Sequence, residues 1–317
     1  MNKISNKIRI FQYLSLVRYK GLSKIIKNIA KKKISIILDF EDSSKDIFSP
    51  KNTLILKSKC RDGFKYLNSL EIKYPNIYLR INGLKSKFFK EDLIFLKKNL
   101  NKGFKINGIF VPKVEKYDDL KIINNLLNLD DKKIKLIPII ESKQGYLNVE
   151  NILSMDKKKL IYGVHYGHFD YCLSKRIWPF PEPYHKEYWD IIFEIINACI
   201  KYKKRFIQTP FPIINNPKLF YKSISYIKKN FVNLDLSLTL VNYDERFFNR
   251  SYNLGDKLIV KKISTDKKYF IKFAKKIMNT YINNKKSKKS FSLSEKRFIP
   301  PHQYLAAKYF LTKNEKR

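Results

Sequence analysis

The feature that most constrains this chain is an alternation. Short, β-branched apolar runs ending on a charged or polar residue are followed by stretches with apolar residues at helical spacing. Such continuous runs suit strands buried on both faces of a parallel sheet. Eight can be read: Tyr13–Val17, Ile34–Leu38, Ile77–Leu79, Gly108–Val111, Leu136–Ile140, Leu160–Tyr162, Arg205–Thr209 and Leu236–Leu240. The sixth opens into a turn with Gly163 and Gly167. Leu22–Lys31, Glu91–Leu100, the segment opened by Asp118 and Asp119, and Tyr188–Tyr202 read as helices between them. Eight strand–helix units predict a TIM (β/α)8 barrel, with an open doubly wound sheet as the alternative. Neither a G-x-G-x-x-G fingerprint nor a G-x-x-x-x-G-K loop is present, so no nucleotide-phosphate cradle is expected.

The pattern changes after Asp244. We expect the barrel over residues 1–245 and a C-terminal helical extension over 246–317. The extension reads as a helix at Lys267–Ile282, a basic Lys/Asn/Ser linker near 283–297, and a Pro-started helix within Phe298–Leu311 that could dock on the barrel or on a neighbour. Trp178 and Trp189, in and beside the Pro-rich stretch, read as loop packing or a lid over the rim.

The charge needs weighing at this point. A net +38 over 317 residues would favour nucleic acid if charge alone decided. The lysines, however, are spread over the whole length rather than gathered on one arm, and Ile, Asn, Phe and Tyr are abundant throughout. We therefore read compositional drift, with nucleic acid not expected as a partner. The charge would still draw anionic substrates. Cys60, Cys172 and Cys199 show no C-x-x-C spacing, which predicts a reduced, cytoplasmic chain without a disulfide framework. No apolar h-region and no run of about 20 apolar residues is seen, so neither a signal peptide nor a membrane span is expected.

In a barrel the strand ends meet at one rim. Here they supply Asp39, Glu41, Asp42, Arg80, Lys113, Glu141 and Asp170. Two carboxylates with open positions suit Mg²⁺, a hard ion that keeps exchangeable waters. A 2-oxo acid could replace two of those waters, and the ion would stabilise an enolate as a carbon–carbon bond breaks or forms. Arg80 suits a substrate carboxylate. Glu41 and Asp42 could equally pair with Lys113 or Arg80 as a structural network. His165, His168 and Asp170 form an H-x-x-H-x-D string, from which His168 is read as lining the pocket and acting as an acid or base near neutral pH.

Five segments then carry a resemblance. Ile37-Leu-Asp-Phe-Glu-Asp42 is similar to "LDLEDA", Leu79-Arg80-Ile-Asn82 to "VRIN", and Ile109-Phe-Val-Pro-Lys-Val-Glu115 to "IVLPKVE". Pro138-Ile-Ile-Glu141-Ser-Lys-Gln-Gly145-Tyr-Leu-Asn148 resembles "LIETARGLLN", and Gly167-His-Phe-Asp170-Tyr resembles "GAEDLA". In this order they resemble the citrate lyase β-subunit-like proteins of the HpcH/HpaI aldolase group, over roughly Tyr13 to Val241. The resemblance implies a TIM barrel and a metal-dependent lyase or aldolase acting on a 2-oxo or β-hydroxy acid, free or as an acyl-CoA. It implies Glu141 and Asp170 as Mg²⁺ ligands, with Mn²⁺ as the alternative ion, and Arg80 as the carboxylate-binding residue. Asp39, Glu41 and Asp42 match the acidic cluster around metal waters; Gly167 and His168 fall in the substrate loop. Asp42 stands where HpaI-type aldolases carry His, which points to the citrate-lyase and malyl-CoA-lyase branch. A homo-oligomer is implied as well. Large residues in Gly167–Tyr171, where the family has small ones, keep a second reading open: a catalytically diverged barrel acting in binding or assembly.

Overall fold

The structure, a computed structural model, describes residues 8–32, 34–69, 76–213, 216–241, 257–286, 292–294 and 297–315. Eight parallel strands close into a barrel in sequence order. They are β1 (Arg9–Ser15), β2 (Ser35–Asp39), β3 (Ile77–Arg80), β4 (Gly108–Val111), β5 (Lys135–Ile140), β6 (Gly163–Tyr166), β7 (Arg205–Ile207) and β8 (Leu236–Leu240). Closure is made by β1 lying beside β8, with Arg9 opposite Ser237 and Gln12 opposite Leu240.

The surrounding helices are α1 (Leu22–Lys31), α2 (Pro50–Asn68), α3 (Phe89–Asn101), α4 (Tyr117–Leu127) and α5 (Leu129–Lys132). Then come α6 (Lys143–Leu147), α7 (Val149–Ser154), α8 (His168–Ser174), α9 (Lys186–Lys201) and α10 (Pro217–Asn230). The extension supplies α11 (Lys267–Lys286), a short hairpin of β9 (Ser292–Ser294) and β10 (Arg297–Ile299), and α12 (Pro301–Glu315). The expected boundary at residue 245 lies outside the described residues. The expected linker begins inside α11 and ends in the hairpin.

Two apolar layers follow from strand geometry, since successive side chains point to opposite faces. Outward residues such as Ile36, Leu38, Leu79 and Ile109 pack under the helices. Inward residues fill the barrel: Phe11, Ile37, Tyr78, Phe110, Ile137, Ile139 and Ile207 form their own cluster. Phe11, Tyr78 and Phe110 meet edge to face at 5.0–6.0 Å between ring centres, which plugs the lower barrel and leaves only its upper mouth for a ligand.

Two strands are displaced from the sequence reading, and β7 ends at Ile207 rather than Thr209. The first runs Arg9–Ser15 rather than Tyr13–Val17, and the sixth is Gly163–Tyr166 rather than Leu160–Tyr162. Leu160 and Ile161 are only the approach to β6. Their N–H groups donate to the Asp156 carboxylate at 2.8 and 3.1 Å, and Lys204 Nζ neutralises that carboxylate at 2.5 Å. Trp189 belongs to α9 and is wholly buried, donating its indole N–H to Pro183 O at 2.8 Å. Trp178 packs on the extension, stacked on Phe273 at 5.5 Å and beside Phe310 at 6.2 Å.

α11 and α12 bury a shared face of Ala274, Ile277, Tyr281, Tyr304, Ala307 and Leu311. α12 also packs against α8, which brings its first turn over the barrel mouth. Among the described residues no helix is long and apolar enough to cross a membrane. Cys60, Cys172 and Cys199 are buried and unlinked.

Candidate active site

The strand ends converge as a parallel barrel requires. Asp39 ends β2 and Arg80 ends β3. Lys113 follows β4, Glu141 follows β5, and Gly167 leads from β6 into α8, which carries His168 and Asp170. Arg80 is the organising cation. Its Nε and Nη2 each lie 2.7 Å from one oxygen of Asp39, and Nη1 lies 3.1 Å from Asp42 and 3.2 Å from Glu41. The Tyr13 ring sits 4.9 Å below the guanidinium. Asp39 also accepts the N–H groups of Glu41 and Ser43, both at 2.9 Å. Burial pushes the Asp39 carboxyl up, but Arg80 and these N–H donors outweigh it and hold the group below the usual range.

Lys113 is the second hub. Its Nζ lies 3.1 Å from Glu41, 3.1 Å from Asp170 and 3.7 Å from Glu141. Its backbone, in the left-handed region at φ 56°, turns its N–H onto Glu141 Oε1 at 3.0 Å. Burial and the neighbouring Asp170 push the Glu141 carboxyl well up, and burial with Asp42 raises Glu41. Burial also acts upward on Asp170, yet His302 and Lys113 together hold it down.

His302, from α12, is the partner that sequence does not reveal. Its Nε2 lies 2.9 Å from Asp170 Oδ2, and its ring stacks on Phe169 at 6.5 Å. Burial lowers the affinity of His302 for a proton, but Asp170 more than reverses this. Glu41 is fixed from behind: buried Lys57 donates to the carbonyls of Phe40 (2.5 Å) and Glu41 (2.8 Å) and to Asn82 Oδ1 (2.8 Å).

His168 parts company with the acid–base expectation. His168 has both ring nitrogens engaged, by Tyr166 Oη at 3.1 Å and Pro181 O at 2.8 Å, and burial pushes it down to about 4. It borders the cavity as a neutral brace. Burial takes His165 down to about 3, and its Nδ1 donates to Ile207 O at 3.0 Å, leaving Nε2 as an acceptor.

These groups surround a cavity of about 230 Å³ lined by Tyr13, Arg80, Glu141, His165, Asp170 and His302. A groove of about 790 Å³ lies on the other side of Lys113, sharing Glu141 and Asp170 with the cavity. The donor set fits a hard divalent cation. Five carboxylates (Asp39, Glu41, Asp42, Glu141, Asp170) stand around Arg80, Lys113 and His302, so acidic groups outnumber the basic side chains that pair with them. In addition, His302 Nδ1 is buried without a hydrogen-bond partner among the described residues, and Glu41 Oε2 has its ion pair with Arg80 but no hydrogen bond. Asp42, Asp170 and His302 also bring one ligand atom each within 4.8 Å of one another.

Gly167 is required by close approach and not by its φ of −97°. A Cβ there would lie 2.4 Å from Glu141 Oε2 and 2.5 Å from Glu141 Cβ. Gly167→Ala should therefore cost about 1–3 kcal/mol as Glu141 is pushed aside. Denaturant unfolding checks this; a wild-type value would remove the packing argument.

Comparisons with known proteins agree with this fold. The family model for HpcH/HpaI aldolase/citrate lyase matches residues 35–236. No curated protein matches. Among solved structures, the Haloferax volcanii malate synthase pyruvate/acetyl-CoA ternary complex is similar at a TM-score of 0.68 and 12% identity, covering 98% of this chain and 91% of that one. RipC from Yersinia pestis gives 0.55 and 19%, with 78% and 97% covered. The citrate lyase β subunit from Mycobacterium tuberculosis, complexed with oxaloacetate and magnesium, gives 0.53 and 14%, with 74% and 92% covered.

Proposed function

Because this chain belongs to the HpcH/HpaI aldolase/citrate lyase family, we propose that it is a magnesium-dependent carbon–carbon lyase or aldolase. Its substrate would be a 2-oxo or β-hydroxy acid, free or as an acyl-CoA. The observation that carries this reading is the surplus of buried carboxylates around Glu141 and Asp170, facing Arg80 across a small cavity. Glu141 and Asp170 would hold the ion, with manganese able to replace it. Bound there, the ion supplies Lewis acidity at a substrate carbonyl.

The chain's own residues do the rest. Asp39 locks the Arg80 fork, so its charge is oriented in advance for a substrate carboxylate, which would compete with Asp42 and Glu41 for Nη1. Lys57 and Asn82 hold the Phe40–Glu41 backbone and so set the acidic cluster. Gly167 leaves room for Glu141. Pro300, Pro301 and His302 roof the cavity and restrict water. The solved relatives fit this reading: one is complexed with oxaloacetate and magnesium, another with pyruvate and acetyl-CoA.

One observation favours a second reading, a barrel of the family that binds without turnover. Both Asp170 oxygens are already held by side chains of the chain itself, Lys113 and His302. Calorimetry of magnesium on the full chain, with and without pyruvate or oxaloacetate, tests the proposal. We expect the 2-oxo acid to tighten metal binding. No magnesium binding would refute it, and binding without turnover of any 2-oxo or β-hydroxy acid would favour the second reading.

A further inference from the structure

Metal ligation by Glu141 and Asp170 raises a question of occupancy, because the position is not empty of charge. The Lys113 ammonium lies within 3.1 Å of both Glu41 and Asp170 and 3.7 Å from Glu141, where a cation shared by these carboxylates would sit. Each Asp170 oxygen already faces a donor side chain: Oδ1 faces Lys113 and Oδ2 faces His302 Nε2 at 2.9 Å. A metal that takes Asp170 as a ligand would meet one of the two at close range, and its charge would drive that group off. They differ sharply in freedom. The His302 side chain is 10% exposed, stacked on Phe169 and anchored in α12. The Lys113 side chain is 44% exposed and borders the outer groove, which offers it solvent.

Resting on the metal site proposed above, we infer that Lys113 is a built-in stand-in for the divalent ion. Its ammonium neutralises the carboxylates when the metal is absent and swings into the outer groove when the metal binds. The exchange needs no backbone movement. Glu141 is held by the Lys113 N–H at 3.0 Å, more closely than by its ammonium at 3.7 Å, so that contact remains while the side chain leaves. The left-handed φ of 56° at Lys113 is what lets one residue offer its N–H to Glu141 while its chain crosses to Glu41 and Asp170. The fold thereby avoids a cluster of unpaired buried carboxylates in its metal-free form, at the cost of a competitor for the ion.

The test is calorimetry of magnesium chloride, with melting curves in chelator, on wild type, Lys113→Met and Lys113→Arg. Lys113→Met should bind magnesium roughly tenfold or more tightly, since the competing charge is gone. It should also melt lower than wild type without metal. Lys113→Arg, which keeps the charge, should not bind more tightly. Magnesium affinity in Lys113→Met equal to or weaker than that of a binding wild type overturns the inference and leaves the metal site standing. No binding in any of the three overturns both. If Lys113→Met does not fold, reductive methylation of the wild type decides the matter. Magnesium should speed modification of Lys113, read by peptide mass spectrometry; unchanged or slower modification overturns the inference.

Discussion

Arg80→Met should destabilise the protein by about 3–5 kcal/mol at neutral pH, the range for breaking a buried pair by removing one partner. The side chain lost is 12% exposed and holds Asp39, itself 2% exposed, through two 2.7 Å contacts. In the variant Asp39 keeps only its N–H donors from Glu41 and Ser43, while Glu41 loses one of its two cations. The effect carries a pH signature. In wild type the Asp39 carboxyl is held low, so its stabilisation is present above the unfolded value and is lost as pH falls through the lower folded value. Without Arg80, burial is left to push it up, and protonation then relieves the variant. The gap between the two proteins should therefore narrow from pH 7 toward pH 4, as denaturant unfolding would report. Arg80→Met combined with Asp39→Asn should recover part of the loss, because the most buried of the three carboxylates no longer carries an unpaired charge. Wild-type stability of Arg80→Met at pH 7 would mean that the fork does not hold the rim together.

How much of this was legible depends on which side of the barrel wall a residue faces. β4 and β8 fall where the apolar runs place them, and β2, β3 and β5 within a residue, because their sequences are apolar on both faces. β1 and β6 slipped because a barrel interior also accepts polar side chains. Gln12 is 1% exposed and donates to Leu240 O, and His165 is 2% exposed within the barrel. A reading based on apolarity moves past such strands to the nearest greasier segment. The rim carboxylates were legible because acids at strand ends share one end of a parallel barrel.

Three relations at the site were not legible. Asp39 and Arg80 could be named as neighbours, but no local pattern says that they spend most of the arginine fork on each other. Lys113 could be placed on the rim, yet its central position depends on a left-handed residue for which Gly, not Lys, would be the expected choice. His302 reaches Asp170 from the far end of the chain, beyond the segment that the family model matches. The Pro-started helix points to docking on the barrel or on a neighbour; only the packing of α12 on α8 shows that the docked turn delivers an imidazole.

Glu141→Gln separates what the site does from what the fold needs. The amide oxygen can still accept the Lys113 N–H, so the loop geometry survives while the charge is removed. In the metal site proposed above, Glu141 is one of two carboxylate ligands, and its loss should weaken magnesium roughly 100-fold or more. Stability should move the other way. Burial and the adjacent Asp170 push the Glu141 carboxyl well above its ordinary value, so the folded chain disfavours its ionised form. A raised acid costs stability as pH climbs above the unfolded value, and that cost is absent from the amide. In chelator at neutral pH the variant should therefore melt no lower than wild type, and a few degrees higher if the carboxylate is ionised there. Such opposite signs mark a functional group that the fold tolerates and does not require. A residue serving only to pair with Lys113 would behave differently: its loss would lower the melting temperature and leave magnesium binding, followed by calorimetry, unchanged. That result would move the metal away from Glu141 and take the proposed chemistry with it.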